Sequence, residues 1–153
     1  MARISERQVM PRVERMEIDL ALALLMTQSA KAKAIEIGAP MSIAVLDAGA
    51  NLLSFNRMDG AELAGPNLAV DKAYTSVTNR IATGELRARI APDGDLPGMN
   101  ANGNGRYIAF AGGIPCWDGD RVVGAIGVSG GSWDEDQICA EAGIEVFKRA
   151  CQA

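Results

Sequence analysis

The chain has 153 residues, of which 48% are hydrophobic and 22% charged, and its net charge is −4; this composition is typical of one globular domain and excludes wholesale disorder. The acidic balance argues against nucleic acid as a partner, and the absence of histidine excludes a catalytic triad built on that residue. The length predicts a single domain over residues 1–153. The widely spaced Cys116, Cys139 and Cys151 indicate neither a zinc site nor a disulfide framework. We therefore expect no metal site and a cytoplasmic location.

A long N-terminal helix is the first predicted element. Apolar residues recur at three- and four-residue steps from Val9 to Ala34, which is helical periodicity. Gly38 and Pro40 end it, and Pro11 marks its start or a kink. Its apolar run over residues 20–26 is far shorter than the roughly 20 residues of a membrane span, so we expect no membrane partner.

A β-hairpin and two helices follow. The apolar, β-branched run of residues 41–46, turn residues over 47–51 and a second run over 52–55 predict two antiparallel strands. Pro66 suits the first position of a helix that runs to about Arg80. A short helix is predicted over residues 84–90.

The C-terminal half begins with a loop rich in glycine and asparagine, residues 91–105, a length typical of functional or mobile segments. Strands over 108–111 and 122–129, around a turn at 118–120, predict a second hairpin. Ser132 and Glu135 form an S-x-x-E capping box for a helix to about Ala150. Hairpins impose antiparallel pairing, so the order predicts an α/β (α+β) fold with helices packed on an antiparallel sheet.

Two cationic side chains are candidates for binding an anion. Arg57 follows a strand and enters a loop, where it can clamp a carboxylate that Asp59 helps to orient; the alternative is a simple exposed pair of Arg57 with Asp59. Lys72 lies at helical spacing beside apolar residues. Burial would lower its pKa and suit it to act as a base or nucleophile, whereas a hydrated Lys72 at the helix edge would only attract anions.

Two glycine-rich turns offer backbone donors. Gly112 and Gly113, stiffened by Pro115, end one strand in a sharp turn. The segment containing Ser129, Gly130 and Gly131 matches the G-x-S-x-G nucleophile motif, but without histidine the serine has no ordinary base. We instead expect N–H groups at the positive end of the following helix to hold an anion, unless Ser132 satisfies these donors itself.

Four motifs in order, SIAVLDAGANLLSFNRMDGA, DKAYTSV, AGGIP and VVGAIGVSGG, resemble the GlcG/HbpS family of small haem-binding or haem-degrading-type proteins over residues 30–150. The resemblance implies a PAS/profilin-like fold with about five antiparallel strands between helices, assembled into homo-oligomers. Some relatives, including the C-terminal domain of the PduO-type adenosyltransferase, bind haem, and others are encoded beside catabolic enzymes. Since histidine is absent, iron would need Met58, Tyr74, Cys116 or open coordination.

Three hypotheses follow for function. The first is an oligomeric protein that binds an anionic small molecule, with haem suggested by the resemblance, through the nine residues Arg57, Asp59, Lys72, Gly112, Gly113, Pro115, Ser129, Gly130 and Gly131. The second is a cofactor-independent lyase, isomerase or hydratase acting on a small carboxylate or aromatic catabolite, with Lys72 or Asp59 as acid or base. The third is an oligomeric scaffold whose pocket has lost its ligand.

Overall fold

The computed structural model describes residues 15–152 as a mixed α/β domain with a single antiparallel sheet. The strands lie in the order β2-β1-β4-β3, so this part of the chain holds four strands where about five were expected. The elements are α1 (Leu20–Glu36), β1 (Ser42–Asp47), β2 (Leu52–Arg57), α2 (Gly65–Asn79), α3 (Thr83–Ile90), β3 (Gly113–Asp118), β4 (Arg121–Ser129) and α4 (Trp133–Cys151). Across residues 15–152, no helix combines the length and hydrophobicity needed to cross a membrane.

The first helix begins later than its periodicity predicts. Asp19 caps it by accepting a hydrogen bond from the Leu22 N–H (2.8 Å). Ile18 donates its N–H to the Val123 carbonyl (3.0 Å), which holds residues 15–19 in an extended path along β4. The prediction of helix over these residues is therefore wrong, while Val9, Pro11 and Val13 lie outside the described residues.

Strand β1 is the centre of the core. It is buried along its whole length because β2 and β4 flank it and helices cover both faces of the sheet. Ile43 and Val45 face α1 and α4, whereas Ala44 and Leu46 face α2, as the two-residue period of a strand requires. The predicted first hairpin is thus confirmed.

The second hairpin is displaced along the chain. The predicted strand over residues 108–111 is wrong, since β3 begins at Gly113. The Ile108 N–H instead donates to Thr75 Oγ1 on α2 (3.0 Å), so this segment is held against a helix rather than against β4. Pro115 lies within β3, which tolerates it because β3 is an edge strand.

The remaining helices match their predictions. Helix α2 ends with Arg80 as its C-cap, α3 covers the predicted short helix, and α4 carries both hydrogen bonds of the capping box. The predicted loop over 91–105 contains two short 3-10 turns, Met99–Ala101 and Gly103–Gly105.

Candidate functional site

The candidate ligand-binding residues gather at one end of the sheet. Ser42 at the start of β1 pairs with Arg57 on one side and with Ser129 on the other, which places these three in a row across three strands. Gly113 pairs with Gly127 of β4, close to the same end. The order of the strands thus brings together residues that lie far apart in sequence.

Lys72 is fully buried beneath this end of the sheet. Its Nζ atom donates to Asp136 Oδ2 (2.5 Å) and to the Val128 carbonyl (2.9 Å), and it lies 4.7 Å from the centre of the Phe110 ring. The exposed fraction of the Lys72 side chain is 0% and that of Asp136 is 3%. Lys72 is therefore buried, and the alternative of a hydrated side chain at the edge of the helix is not observed.

Asp136 was missed as a partner by sequence reasoning. It lies in the first turn of α4, where an acidic residue is explained by the helix dipole alone. Its other oxygen, Oδ1, accepts the Gly131 N–H (2.9 Å). The available signal was its spacing: Asp136 shares the buried face of α4 with Cys139 and Ala140, three and four residues later.

Burial dominates the electrostatics of this ion pair. Desolvation lowers the pKa of Lys72, against the opposing effect of Asp136, and desolvation raises the pKa of Asp136, against the opposing effect of Lys72. Both shifts favour the neutral forms. The pair can exchange a proton internally, but a ligand reaches Nζ only if the surrounding groups move.

An aromatic stack covers the pair on its outer side. The Phe110 ring stacks on Trp133 with centroids 5.9 Å apart and planes at 16°. The Arg87 guanidinium lies 4.5 Å from the Trp133 ring centre, and Trp133 is 48% exposed. Phe110, Trp133 and Arg87 had no predicted role, because nothing in their local sequence indicates that they meet.

Arg57 is exposed, in contrast to Lys72. Its Nη2 atom donates to the Ala61 carbonyl (2.7 Å), which closes the loop after β2. Arg57 and Asp59 form no ion pair in the structure of residues 15–152, so the alternative of a simple pair between them is not observed. The guanidinium retains further N–H groups that can face a ligand.

The start of α4 uses its donors internally. Ser132 Oγ accepts the Glu135 N–H (3.3 Å), and the Glu135 carboxylate accepts the Ser132 N–H (2.7 Å). The Gly131 N–H is taken by Asp136. The alternative that Ser132 satisfies this helix end is thus confirmed, and Ser129, only 2% exposed, is in no position to attack a substrate.

The start of α2, in contrast to that of α4, has no side chain that caps its N–H groups. Its N-cap, Ala64, offers no side-chain hydrogen bond, and its first turn contains no acidic residue. A Cβ on Gly65 would lie 3.0 Å from Ser42 Oγ, a buried hydroxyl without a hydrogen-bond partner. This positive helix end therefore lies beside the row that contains Arg57.

The three candidate iron ligands differ in availability. Burial raises the pKa of the Cys116 thiol to about 12, so it holds its proton at neutral pH. The sulfur of Met58 accepts a backbone N–H (3.4 Å). Tyr74 is partly exposed, with the Arg106 guanidinium 3.7 Å from its ring centre and Tyr107 stacked at 6.2 Å. A phenol oxygen is an accepted axial ligand of haem iron, so Tyr74 fits best of the three.

Taken together, the fold and this end of the sheet define a small α/β domain with one antiparallel sheet between helices and cationic groups at the sheet's end. The model of the family described as "Haem degrading protein HbpS-like" matches residues 18–145. The chain belongs to this family, as its motifs predicted.

Known relatives agree with this assignment. An uncharacterized 15.0 kDa protein from the dhaT-dhaS intergenic region of Citrobacter freundii is 37% identical over 130 residues, covering 85% of this chain and 92% of the relative. The corrinoid adenosyltransferase PduO of the same organism is 34% identical over 119 residues, or 78% of this chain, but the match spans only 36% of PduO.

Two solved structures share the fold. The Klebsiella pneumoniae protein ORFY superposes with a TM-score of 0.86 at 31% identity, covering 92% of this chain and 98% of ORFY. The PduOC:haem complex superposes with a TM-score of 0.82 at 28% identity, covering 86% of this chain and 95% of PduOC.

Proposed function

We propose that this protein binds an anionic small molecule at the end of the sheet that carries Arg57, and that haem is the first ligand to test. The observation that carries the proposal is the exposed Arg57 guanidinium beside the uncapped start of α2. Both features favour negative charge. The complex of PduOC with haem supports haem as the ligand, through its propionate groups.

The remaining predicted residues take different parts in this proposal. Asp59 is exposed on the Arg57 loop and can orient the guanidinium. Gly112 and Gly113 pass close to Lys72, since a Cβ on Gly112 would lie 2.9 Å from Lys72 Nζ and one on Gly113 would lie 2.5 Å from the Lys72 carbonyl oxygen. Pro115 lies further along β3. Of the three candidate iron ligands, Tyr74 would be the one to hold haem iron, and the iron would supply the redox chemistry.

Self-association is part of the proposal. The outer face of α1 leaves Leu25 and Ile35 54% and 62% exposed, and the edge strand β2 leaves Leu52 53% exposed. Unpaired strand edges and clustered apolar side chains are typical of interfaces. We expect a homo-oligomer, which sedimentation velocity would detect, and Leu25→Glu should weaken it. A monomer at high concentration would contradict this part.

A cytoplasmic location also belongs to the proposal, supported by the three free thiols of Cys116, Cys139 and Cys151.

The enzyme alternative rests on Lys72, whose lowered pKa suits a base. Against it, Nζ is enclosed by Asp136, the Val128 carbonyl and Phe110. Turnover of a small carboxylate that is lost in Lys72→Met, with binding retained, would favour the enzyme.

Titration with haemin tests the ligand. We expect a saturable absorbance change, weakened about tenfold or more in Arg57→Ala because a charged hydrogen bond contributes roughly 1.5–3 kcal/mol. The Glu62 side chain lies beside Gly65 at the start of α2, so Glu62→Gln removes a negative charge from the site and should strengthen binding. Lys148→Ala, on the exposed end of α4, is the matched control and should bind as the wild type does.

Two outcomes would overturn parts of the proposal. The absence of a saturable change would exclude haem, and thermal-shift screening of small carboxylates would then test the anion site itself. If neither haem nor any carboxylate depends on Arg57, the site is refuted. Tyr74→Phe should retain haem binding but alter the spectrum, since it removes the iron ligand.

A further inference from the structure

The second cationic surface of the molecule lies at the opposite end of the sheet. There a cavity of about 460 Å³ opens between the end of α2, the β1–β2 turn and the β3–β4 turn. Three arginines, Arg15, Arg80 and Arg121, line it together with one carboxylate, that of Asp120. The other lining residues in the described chain are Met16, Ala48 and Val122.

The three guanidiniums come from separate segments of the chain. Within residues 15–152, none of them lies within 4.0 Å of a carboxylate oxygen, although five other cationic side chains do. Arginine keeps its charge at any physiological pH. Three exposed arginines therefore line one cavity in a chain whose net charge is −4, and solvent screens their mutual repulsion.

The backbone at Arg80 adds an independent observation. Arg80 is the C-cap of α2 and adopts the left-handed conformation, with φ 55° and ψ 40°. The Ile81 N–H closes the turn on the Ser76 carbonyl (3.3 Å), which is a geometry where glycine is the usual residue. A side chain at this position carries a backbone cost that glycine avoids, so helix termination does not explain an arginine.

A cation at the end of a helix does complement the helix dipole. That effect accounts for the charge of Arg80 alone. Arg15 precedes α1 and Arg121 begins β4, so neither belongs to the end of a helix. Together with Arg80 they line one cavity, where a negatively charged ligand would find three cationic side chains.

We propose that this cavity binds a phosphate group of a small phosphorylated molecule. Guanidinium groups match phosphate oxygens in paired hydrogen bonds, and the three arginines that line the cavity carry enough donors for a group with three terminal oxygens. The α2 dipole opposes an anion here, but by only about half a unit charge. The cavity falls within the roughly 300–1,000 Å³ range of small-molecule sites, which leaves room for the rest of the ligand along Met16 and Val122.

Calorimetric titration of the full chain with inorganic phosphate, at constant ionic strength, tests this site. We expect saturable phosphate binding, of which one phosphate per chain depends on Arg80 and Arg121. Arg80→Gly should weaken phosphate binding at least tenfold, while the midpoint of thermal unfolding without phosphate stays the same or rises, because glycine suits the left-handed turn. Arg121→Gln should weaken binding as well.

Two further variants separate this site from other cationic surfaces. Lys31→Ala removes an exposed charge from α1 and should leave phosphate affinity unchanged. Arg80→Gly should still weaken phosphate binding in an Arg57→Ala background, since Arg57 lies at the other end of the sheet. The absence of saturable phosphate binding, wild-type affinity in Arg80→Gly, or a loss that follows Arg57→Ala instead would each overturn the proposal.

Discussion

Replacing Lys72 with methionine isolates the energetics of the buried ion pair. The variant keeps the side-chain volume but leaves the Asp136 carboxylate, only 3% exposed, with the Gly131 N–H as its remaining partner. It also leaves the Val128 carbonyl without its hydrogen bond to Nζ. Breaking one side of a buried pair costs about 3–5 kcal/mol, which for a domain of this size corresponds to a thermal midpoint lower by roughly 6–20 °C.

The pH dependence of this loss follows from the carboxyl that remains. Burial raises the pKa of Asp136 above the ordinary 3.8, against the opposing effects of Lys72 and of the Gly131 and Gly130 N–H groups; without Lys72 the largest opposing effect is lost and the pKa rises further. Between 3.8 and that raised pKa, the folded state holds a proton that the unfolded state releases, so the free energy of unfolding falls as pH rises. The deficit of Lys72→Met is therefore smallest near pH 4 and largest at neutral pH.

In Asp136→Asn, the free energy of unfolding should change with pH in the opposite direction. Desolvation already lowers the pKa of Lys72 below 10.5, and removal of Asp136 takes away the larger of the two carboxylate effects that oppose it, the smaller being that of Glu62. Below 10.5, the unfolded state then binds a proton that the folded state lacks, so the free energy of unfolding rises with pH. The deficit of this variant shrinks under alkaline conditions.

Urea unfolding of both variants across this pH range, with Lys148→Met as the control, provides the measurement. Lys148 pairs with Glu145 on the surface, so its loss should cost less than about 1 kcal/mol. The double variant Lys72→Met/Asp136→Leu should recover most of the stability, because it leaves no unpaired charge. A cost below about 1 kcal/mol for Lys72→Met, or parallel pH slopes for the two single variants, would refute the reasoning.

Three smaller changes test the packing and capping around the site. Gly127→Ala should destabilise the fold by about 3 kcal/mol, since the new Cβ would overlap the Ala69 carbonyl oxygen of α2; a neutral result in thermal unfolding would mean that α2 shifts freely. Ser132→Ala should cost about 1 kcal/mol and speed amide exchange at Glu135, whereas unchanged exchange would show that the cap contributes little. Ser42→Ala should change the free energy of unfolding by less than about 0.5 kcal/mol, because its buried hydroxyl has no hydrogen-bond partner to lose. A larger loss of stability would show that the hydroxyl does have a hydrogen-bond partner.

Local signals in the sequence predicted those parts of the fold that local interactions determine. The first hairpin and the capping box of α4 form as expected because their turn residues and caps act within a few positions. The two errors both involve partners far away in sequence. Ile18 is drawn into an extended path by Val123, and Ile108 is bound by Thr75. Helical periodicity and β-branched composition carry no information about such partners.

The candidate site was predictable in its position but not in its arrangement. The motifs of Arg57, Ser129 and Gly113 do meet at one end of the sheet. Helical spacing left the burial of Lys72 open, because it does not show what covers that face of α2. The answer depends on Asp136, 64 residues away, and on Phe110. Spacing along α4 contains the information that Asp136 faces inward, as do Cys139 and Ala140, but not which cation it meets.

The contrast between Lys72 and Arg57 determines how a binding defect at this end should be interpreted. The charge of Lys72 is already compensated by Asp136 inside the protein, so it adds little field at the surface. Arg57 is exposed and bound only to a neutral carbonyl, so its charge acts on a ligand directly. Arg57→Ala should therefore lower the affinity for an anion at unchanged stability, whereas Lys72→Met should lower stability at nearly unchanged affinity of the folded fraction. Affinity that falls in Lys72→Met under conditions where the variant is fully folded would instead mean that the buried pair opens to the ligand.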